Sequence, residues 1–345
     1  MKEVKVGIVG IGRLGSQHAE NLAYRIPNCK LTAVCSIREE EVKNAQDKWN
    51  IPYSYTDYDK MLENKDLDAI LISSPSSYHC HQIKKALEAG FHVFSEKPLG
   101  LYLDEAYDVR EKVNKFKDQI FMLGFMRRYD QSYLEAKHHI DEGVIGEPIY
   151  IRCYGLDPAK QMDDFLKYAK KNDSGGLFLD MAIHDFDLAR WYLGTEAQEV
   201  WAIGGNYTRP EFAEIKDVET GSAMVHFENG SIGTFVASRN CVHGYHIETE
   251  IIGTKGSLRI GTVPERNQVV VLKECGVVQE CFGGFLERFD QAYLNEVEEF
   301  INCIIEGRKP LVTVDDGVES TKLGYACKQS LESGKLVRLI DIHNG

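Results

Sequence analysis

Apolar positions follow two rhythms along this chain. In the first third they come in short unbroken runs: VKVGIVG (4–10), KLTAVCS (30–36), DAILISSP (68–75), HVFSE (92–96) and IFMLGFM (120–126). Runs of this kind suit parallel strands covered on both faces, where no position is left for water. Between them lie helical stretches: RLGSQHAENLAYRI ending before Pro27, a charged helix through Trp49, YHCHQIKKALEAG closed by Gly90, and 104–117. A short extended IPYSY precedes the third long run. Strands alternating with helices imply right-handed crossovers and a doubly wound parallel sheet.

After residue 126 the rhythm changes. A helix is predicted at about 176–193, followed by EVWAIGGNY, ETGSAMVHF, GSIGTFVAS, HIETEIIG, GSLRI and NQVVVL. Consecutive strands separated by Gly204-Gly205, Asn229-Gly230, Gly253 and Gly256 read as an open, largely antiparallel sheet. Helical stretches at 289–306 and 317–333 then lead to LVRL. The fold class is therefore α/β: a Rossmann domain over 1–125, then an α+β domain over 126–345 whose C-terminal segment can return to the first. No repeat or low-complexity tract interrupts this order.

Composition narrows the function. A net charge of −13 argues against a nucleic-acid groove, which needs a basic surface to neutralise phosphates. Small anionic or neutral substrates remain compatible, because a local site can be basic on an acidic body. Lys2 and Lys5 are followed by VGIVGIG, which is short and glycine-broken, so no signal peptide is read there. No apolar run approaches the length that spans a bilayer. The 9 cysteines form no CxxC pair, and neither Cys29 with Cys35 nor Cys275 with Cys281 has zinc-ribbon spacing. Free thiols in a reducing cytoplasm, and no metal, are the expectation.

The first strand ends in GIGRLG. Gly10 suits the tight turn, Gly12 a close approach of pyrophosphate, and Gly15 the packing of helix on strand. The helix that follows offers unpaired N–H groups and a favourable dipole to phosphate. Strand, glycine loop and helix in that order point to a dinucleotide. At the end of the second strand, where an acid usually meets the adenosine ribose, stands Ser36, 36 − 15 = 21 positions past Gly15. Ile37 and Arg38 follow. Ser36 can bond a ribose hydroxyl and Arg38 can meet a 2′-phosphate, which leaves NAD and NADP both open.

Two further stretches carry candidate chemistry. In HVFSEKPLG the apolar strand runs into Glu96 and Lys97 and stops at Pro98, which cannot continue a central strand. In SGGLFLDMAIHDFDLAR (174–190), Asp180 and His184 are four apart and share a face on a helix, with Asp187 one turn on. As a metal site the pair lacks further ligands. As a catalytic pair, the carboxylate orients an imidazole that exchanges a proton with substrate. Structural and catalytic readings stay open on these residues alone.

Taken together, GIGRLG, EKPLG, GFMRRYD (124–130) and DMAIHDFD (180–187) resemble the glucose–fructose oxidoreductase/inositol dehydrogenase/MocA-type family over essentially the full length. GFMRRYD and the Asp-x-x-x-His helix are most similar to the inositol 2-dehydrogenase branch, which oxidises myo-inositol or its isomers with NAD. The resemblance implies Lys97, Asp180 and His184 as the catalytic set, and a cis peptide at Lys97–Pro98. It implies substrate contacts at Met126, Arg127, Asp157 and Tyr245. Beside Gly10, Gly12, Gly15, Ser36 and Arg38, cofactor contacts are expected at Arg13, Leu14, Ser74, His79 and Glu96. The expected reaction is oxidation of a cyclic polyol, myo-inositol to 2-keto-myo-inositol, with NAD as cofactor. An NADP-linked scyllo-inositol or sugar dehydrogenase is the alternative within the family, and a non-catalytic nucleotide sensor the alternative outside it. A homo-oligomer is expected, tetramer ahead of dimer, with Phe282, Phe285 and Phe289 near the open sheet.

Overall fold

The computed structural model describes residues 3–262, 265–274 and 276–342. Cys275 and Lys2 lie outside the described residues. The chain packs as two compact units, Met1–Tyr129 with Gln291–Val318, and Asp130–Asp290 with Glu319–Gly345.

In the first unit, β1 (Val4–Val9), β2 (Cys29–Cys35), β3 (Tyr53–Tyr55), β4 (Ala69–Ile72), β5 (His92–Glu96) and β6 (Phe121–Gly124) form one parallel sheet. Its order is β3-β2-β1-β4-β5-β6, with the reversal of winding between β1 and β4. That is where such folds open a crevice at the carboxyl ends of the strands. The helices between them are α1 (Arg13–Glu20), α2 (Glu39–Trp49), α3 (Tyr58–Leu62), α4 (His79–Glu88) and α5 (Leu103–Lys115). All four residues of β4 are fully buried, which is why its run reads AILI without a polar position. The first unit is the expected doubly wound Rossmann domain.

The second unit contains elements the apolar rhythm did not announce. After α6 (Gln131–Asp141) comes β7 (Pro148–Pro158), then α7 (Met162–Ala169). The helix expected over 176–193 is a π-helical turn, Phe178–Ala182, followed by α8 (Ile183–Leu193). The strands β8 (Ala197–Gly205), β9 (Thr220–Phe227), β10 (Ile232–Cys241), β11 (His246–Gly253) and β12 (Ser257–Ile260) follow. β13 (Glu265–Lys273), which holds NQVVVL, pairs only with β14 (Gly276–Cys281) and lies outside the large sheet. Helix α9 (Phe285–Arg288) closes this stretch; α10 (Asp290–Glu306), from Gln291 on, and the start of α11 (Val314–Ser333) belong to the first unit, while the rest of α11 and the short β15 (Val337–Arg338) belong to the second.

The large sheet runs β12-β11-β7-β10-β9-β8-β15, antiparallel except for the parallel pair β7–β10. One face buries Ile151, Cys153, Val225 and Phe235, and Phe235 meets Phe186 of α8 edge-on at 5.0 Å. On the other face a cross-strand row reads Trp201, Met224, Thr234, Arg152, Glu250, Arg259. Trp201, Ile203, Met224, Ile232 and Ile252 are exposed there, and Arg152 bridges Glu248 and Glu250 at 2.7 and 3.2 Å. The open face is therefore apolar toward β8 and charged toward β12. Of the phenylalanines near the sheet in sequence, Phe289 is fully buried within the chain, its ring edge-on to Tyr245 at 6.3 Å. Among the described residues, no helix is long and apolar enough to cross a membrane.

Candidate functional site

The glycine loop of the first unit has the shape a pyrophosphate requires. Gly10 adopts φ +86°, and a Cβ there would lie 2.4 Å from the Ser74 backbone nitrogen. A Cβ on Gly15 would sit 2.0 Å from the Gly10 carbonyl oxygen, so helix α1 can approach β1 only with glycine at that position. Gly12 differs from both, since a Cβ would meet nothing within 4 Å. Its bareness leaves open space over the loop rather than relieving an internal clash. No side chain caps α1, whose first turn carries the expected Arg13 and Leu14. An open cradle above uncapped N–H groups fits a dinucleotide phosphate.

At the end of β2, Ser36 and Arg38 converge on one acid. Ser36 Oγ donates to Glu41 Oε2 at 2.7 Å, and Arg38 pairs with the other oxygen of the same carboxylate. Arg38, a candidate for a 2′-phosphate, thus already has a carboxylate partner.

The loops after β4 and β5 are strapped together. His79, buried at the start of α4, brings Nε2 to 2.8 Å from the Ser74 carbonyl and Nδ1 to 2.7 Å from the Pro98 carbonyl. Burial pushes its pKa below the ordinary imidazole value, partly offset by those two carbonyls and by Glu96. Ser74 Oγ donates to Gln82 Oε1 at 2.5 Å. Lys97 follows β5 directly, and its peptide bond to Pro98 is cis. Glu96 is buried, with Oε1 2.7 Å from His18 Nε2. Met126 and Arg127 lie in a buried 3₁₀ turn after β6, beside Arg128, which donates to Asp316 at 2.8 Å.

In the second unit the candidates gather around a residue that had not been singled out. Arg239, on β10 and 3% exposed, lays its guanidinium on the Phe165 ring, 3.5 Å from the centroid. Its Nη2 donates to Asp180 Oδ2 at 3.0 Å and lies 4.0 Å from Asp217 Oδ2, while Nη1 lies 4.0 Å from Asp157 Oδ2. Asp157 and Asp180 are thus brought to one cation, and each keeps about a third of its side chain exposed (32% and 30%). Asp217 is shut in; burial pushes its carboxyl up, against the pull of Arg239 and of the Leu177 and Val218 N–H groups. Asp180 sits in the π-helical turn and His184 in the first turn of α8, nearly buried. The two are therefore not consecutive positions of one regular α-helix, as the spacing had suggested.

Tyr245 is buried just before β11, its N–H donating to the Phe282 carbonyl at 2.9 Å. A cavity of about 210 Å³ adjoins it in sequence, lined by Pro158, Lys160, Cys241, His243, Cys281 and Phe282 among others. Lys97, Met126 and Arg127 belong to the first unit; Asp157, Asp180, His184 and Tyr245 belong to the second.

Comparison with known proteins accounts for both units. Residues 4–125 match the oxidoreductase family with an NAD-binding Rossmann fold, and residues 133–259 match the GFO/IDH/MocA C-terminal domain. The chain belongs to the GFO/IDH/MocA oxidoreductase family. It is 34% identical over 339 residues to myo-inositol 2-dehydrogenase of Thermotoga maritima, covering 98% of this chain and 99% of that one. It is 36% identical over 337 residues to scyllo-inositol 2-dehydrogenase (NAD(+)) of Bacillus subtilis, covering 98% and 96%. The crystal structure of scyllo-inositol dehydrogenase from Lactobacillus casei with bound NAD(H) and scyllo-inositol superposes with a TM-score of 0.95 at 44% identity, covering 99% and 100%.

This member of the GFO/IDH/MocA family is accordingly an NAD-binding oxidoreductase, and its glycine loop holds the geometry that binding requires. Two polar residues of its candidate site escaped the sequence. Arg239 stands alone in VASRNCV, and its acidic partners are distant in sequence, Asp180 by 59 residues. Glu41 is one of three consecutive acids opening α2, and nothing local separates it from its neighbours.

Proposed function

We propose that this enzyme oxidises a cyclic polyol, myo-inositol to 2-keto-myo-inositol, with NAD. The observation that carries the reading is the convergence of Asp157 and Asp180 on buried Arg239, which presents two partly exposed carboxylates from a rigid support. Paired carboxylates suit a polyol, whose hydroxyls must exchange water for protein acceptors. The full-length similarity to two inositol dehydrogenases supports the same substrate class.

Bound NAD supplies the hydride acceptor at its nicotinamide. The chain handles the proton and the developing charge. His184 accepts the hydroxyl proton at an imidazole nitrogen, a step worth about 10²–10⁴ in rate. Asp180, held by Arg239 through Oδ2, steadies the imidazolium that results. Lys97 places its Nζ against the hydroxyl oxygen and favours alkoxide character as the C–H bond breaks. Met126, Arg127, Asp157 and Tyr245 complete the substrate contacts, while Arg13, Leu14, Ser36, Ser74, His79 and Glu96 serve the cofactor side. In this reading the enzyme works in the cytoplasm, in keeping with the free cysteines among the described residues.

Scyllo-inositol is the second reading, favoured by the 44% identity to the Lactobacillus casei scyllo-inositol dehydrogenase. NADH formation with myo-, scyllo- and D-chiro-inositol and with glucose, repeated with NADP, separates these. Fastest turnover of myo-inositol with NAD is expected. Turnover of glucose alone, or with NADP alone, would remove the proposal.

A homo-oligomer, tetramer ahead of dimer, belongs to the same reading. The apolar half of the open sheet face, with Trp201, Ile203, Met224 and Ile232, is the surface that a second copy would cover. Sedimentation should report an oligomer that Met224→Arg weakens. A wild-type monomer at micromolar concentration would dismiss it.

A further inference from the structure

Helix α10 carries an acid on its apolar stripe. Ala292, Tyr293, Val297, Phe300 and Ile301 are buried along that face, and Glu296 sits among them with no exposure. Both oxygens of its carboxyl are sealed from solvent and meet no hydrogen-bond partner among the described residues. The charged neighbour is another acid, Glu96 at the end of β5, itself 2.7 Å from His18 Nε2 on α1. One side-chain nitrogen or oxygen from each of the three falls within 4.8 Å of the others. His18 is walled by aromatic edges, Phe94 at 5.8 Å and Tyr293 at 5.7 Å. An ionised carboxylate without a partner does not persist in such surroundings; it takes up a proton instead.

We propose that His18, Glu96 and Glu296 form a buried proton-sharing cluster in which Glu296 is a neutral carboxylic acid, and that the cluster positions the Glu-Lys-Pro turn carrying Lys97. A carboxylic acid can donate to the Glu96 carboxylate where a second carboxylate could only repel it. With His18 on one side and Glu296 on the other, Glu96 is held directly before Lys97. The positioning role rests on the dehydrogenase reading above; the protonation state does not.

The titratable groups around Glu296 are His18 from α1, Glu96 from β5, Tyr129 from the turn after β6, and Tyr293 from α10; His79 of α4 faces Glu96. Burial first, and Glu96 second, push the Glu296 carboxyl well above its ordinary value. An acid raised in this way keeps its proton in the folded chain after the unfolded chain has lost it. Stability therefore falls as pH rises from the ordinary carboxylate range toward the raised value. Glutamine at 296 has no proton to lose.

The test is Glu296→Gln in the full chain. Its unfolding midpoint should exceed wild type at pH 8 by about 2 °C or more, and the gap should close toward pH 4. A protonated-carboxyl infrared band present in wild type at pH 8 should vanish, and kcat should stay within about twofold. Glu296→Ala, which removes the donor to Glu96, should lower kcat about tenfold or more, a larger factor than any rise in the Kd for NAD. A Glu296→Gln protein less stable than wild type at pH 8, or a stoichiometric divalent ion in the purified enzyme, would overturn the neutral acid. Full kcat in folded Glu296→Ala would overturn the positioning role. If wild type turns over no cyclitol, the dehydrogenase reading fails, while the midpoint and the infrared band still judge the cluster.

Discussion

Lys97→Ala should lower kcat by about 10²–10³ while the Kd for NAD stays close to wild type. The magnitude follows from what a fixed donor contributes where negative charge develops on oxygen in a water-poor site. The ammonium is supplied by a residue whose backbone is held on both sides. Glu96 before it is buried, and the Pro98 carbonyl after it is bonded to His79. Removing the side chain should therefore delete a charge without moving the turn. Arginine should not rescue it, because a broad guanidinium fork replaces a compact point charge. Stopped-flow NADH formation and fluorescence titration of NAD separate chemistry from binding. Full activity in Lys97→Ala would sink the mechanism.

The second large effect is expected at Arg239. Arg239→Ala removes the guanidinium bonded to Asp180 and takes from the shut-in Asp217 its nearest cation, which should cost about 3–5 kcal/mol of stability. The loss should grow with pH. Unfolded Asp217 ionises at the ordinary carboxylate value, whereas the folded residue, already pushed up by burial, must keep its proton or stand as an unpaired charge. Arg239→Lys keeps a cation but forfeits the ring stacking on Phe165, and should fall between the two. Urea unfolding at pH 5 and pH 8 reads the effect. In the lysine variant kcat should fall more than KM rises if, as proposed, Asp180 serves the proton step. Equal loss of stability at both pH values would show that Asp217 does not depend on Arg239.

Much of the first unit was legible because its constraints are local. β4 has both faces covered, so every one of its residues had to be apolar. Gly10 and Gly15 are each excluded from bearing a Cβ by backbone atoms, so two of the loop's three glycines are dictated by its own fold. β7 was not read, although Ile151 and Cys153 alternate with the half-buried Arg152 and Tyr154. Its hydrogen-bonded neighbours, β10 and β11, arrive some eighty residues or more later, and no turn signal links them. The placement of Asp180 was legible only in part. Spacing set it above His184 on one helix, but a π-helical turn intervenes, and it accepts from Arg239 on a strand that no pattern connects to it. Glu296 was open to detection: an acid between Tyr293 and Phe300 on an apolar stripe is a contradiction that only a buried partner resolves.

The first unit is sewn from two distant lengths of chain. All six of its strands are complete by Gly124, yet Phe300 packs on Phe94 at 5.8 Å, and Gly317 passes so close to Leu99 and Leu123 that a methyl group would collide with both. A ribosome would thus have displayed the whole nucleotide sheet long before the helix that covers Phe94 emerged. Closing so long a loop is entropically slow. Until α10 arrives, the nascent domain exposes an aromatic patch around His18 and Phe94, a surface on which holdase chaperones or a neighbouring nascent chain would compete with the native cover.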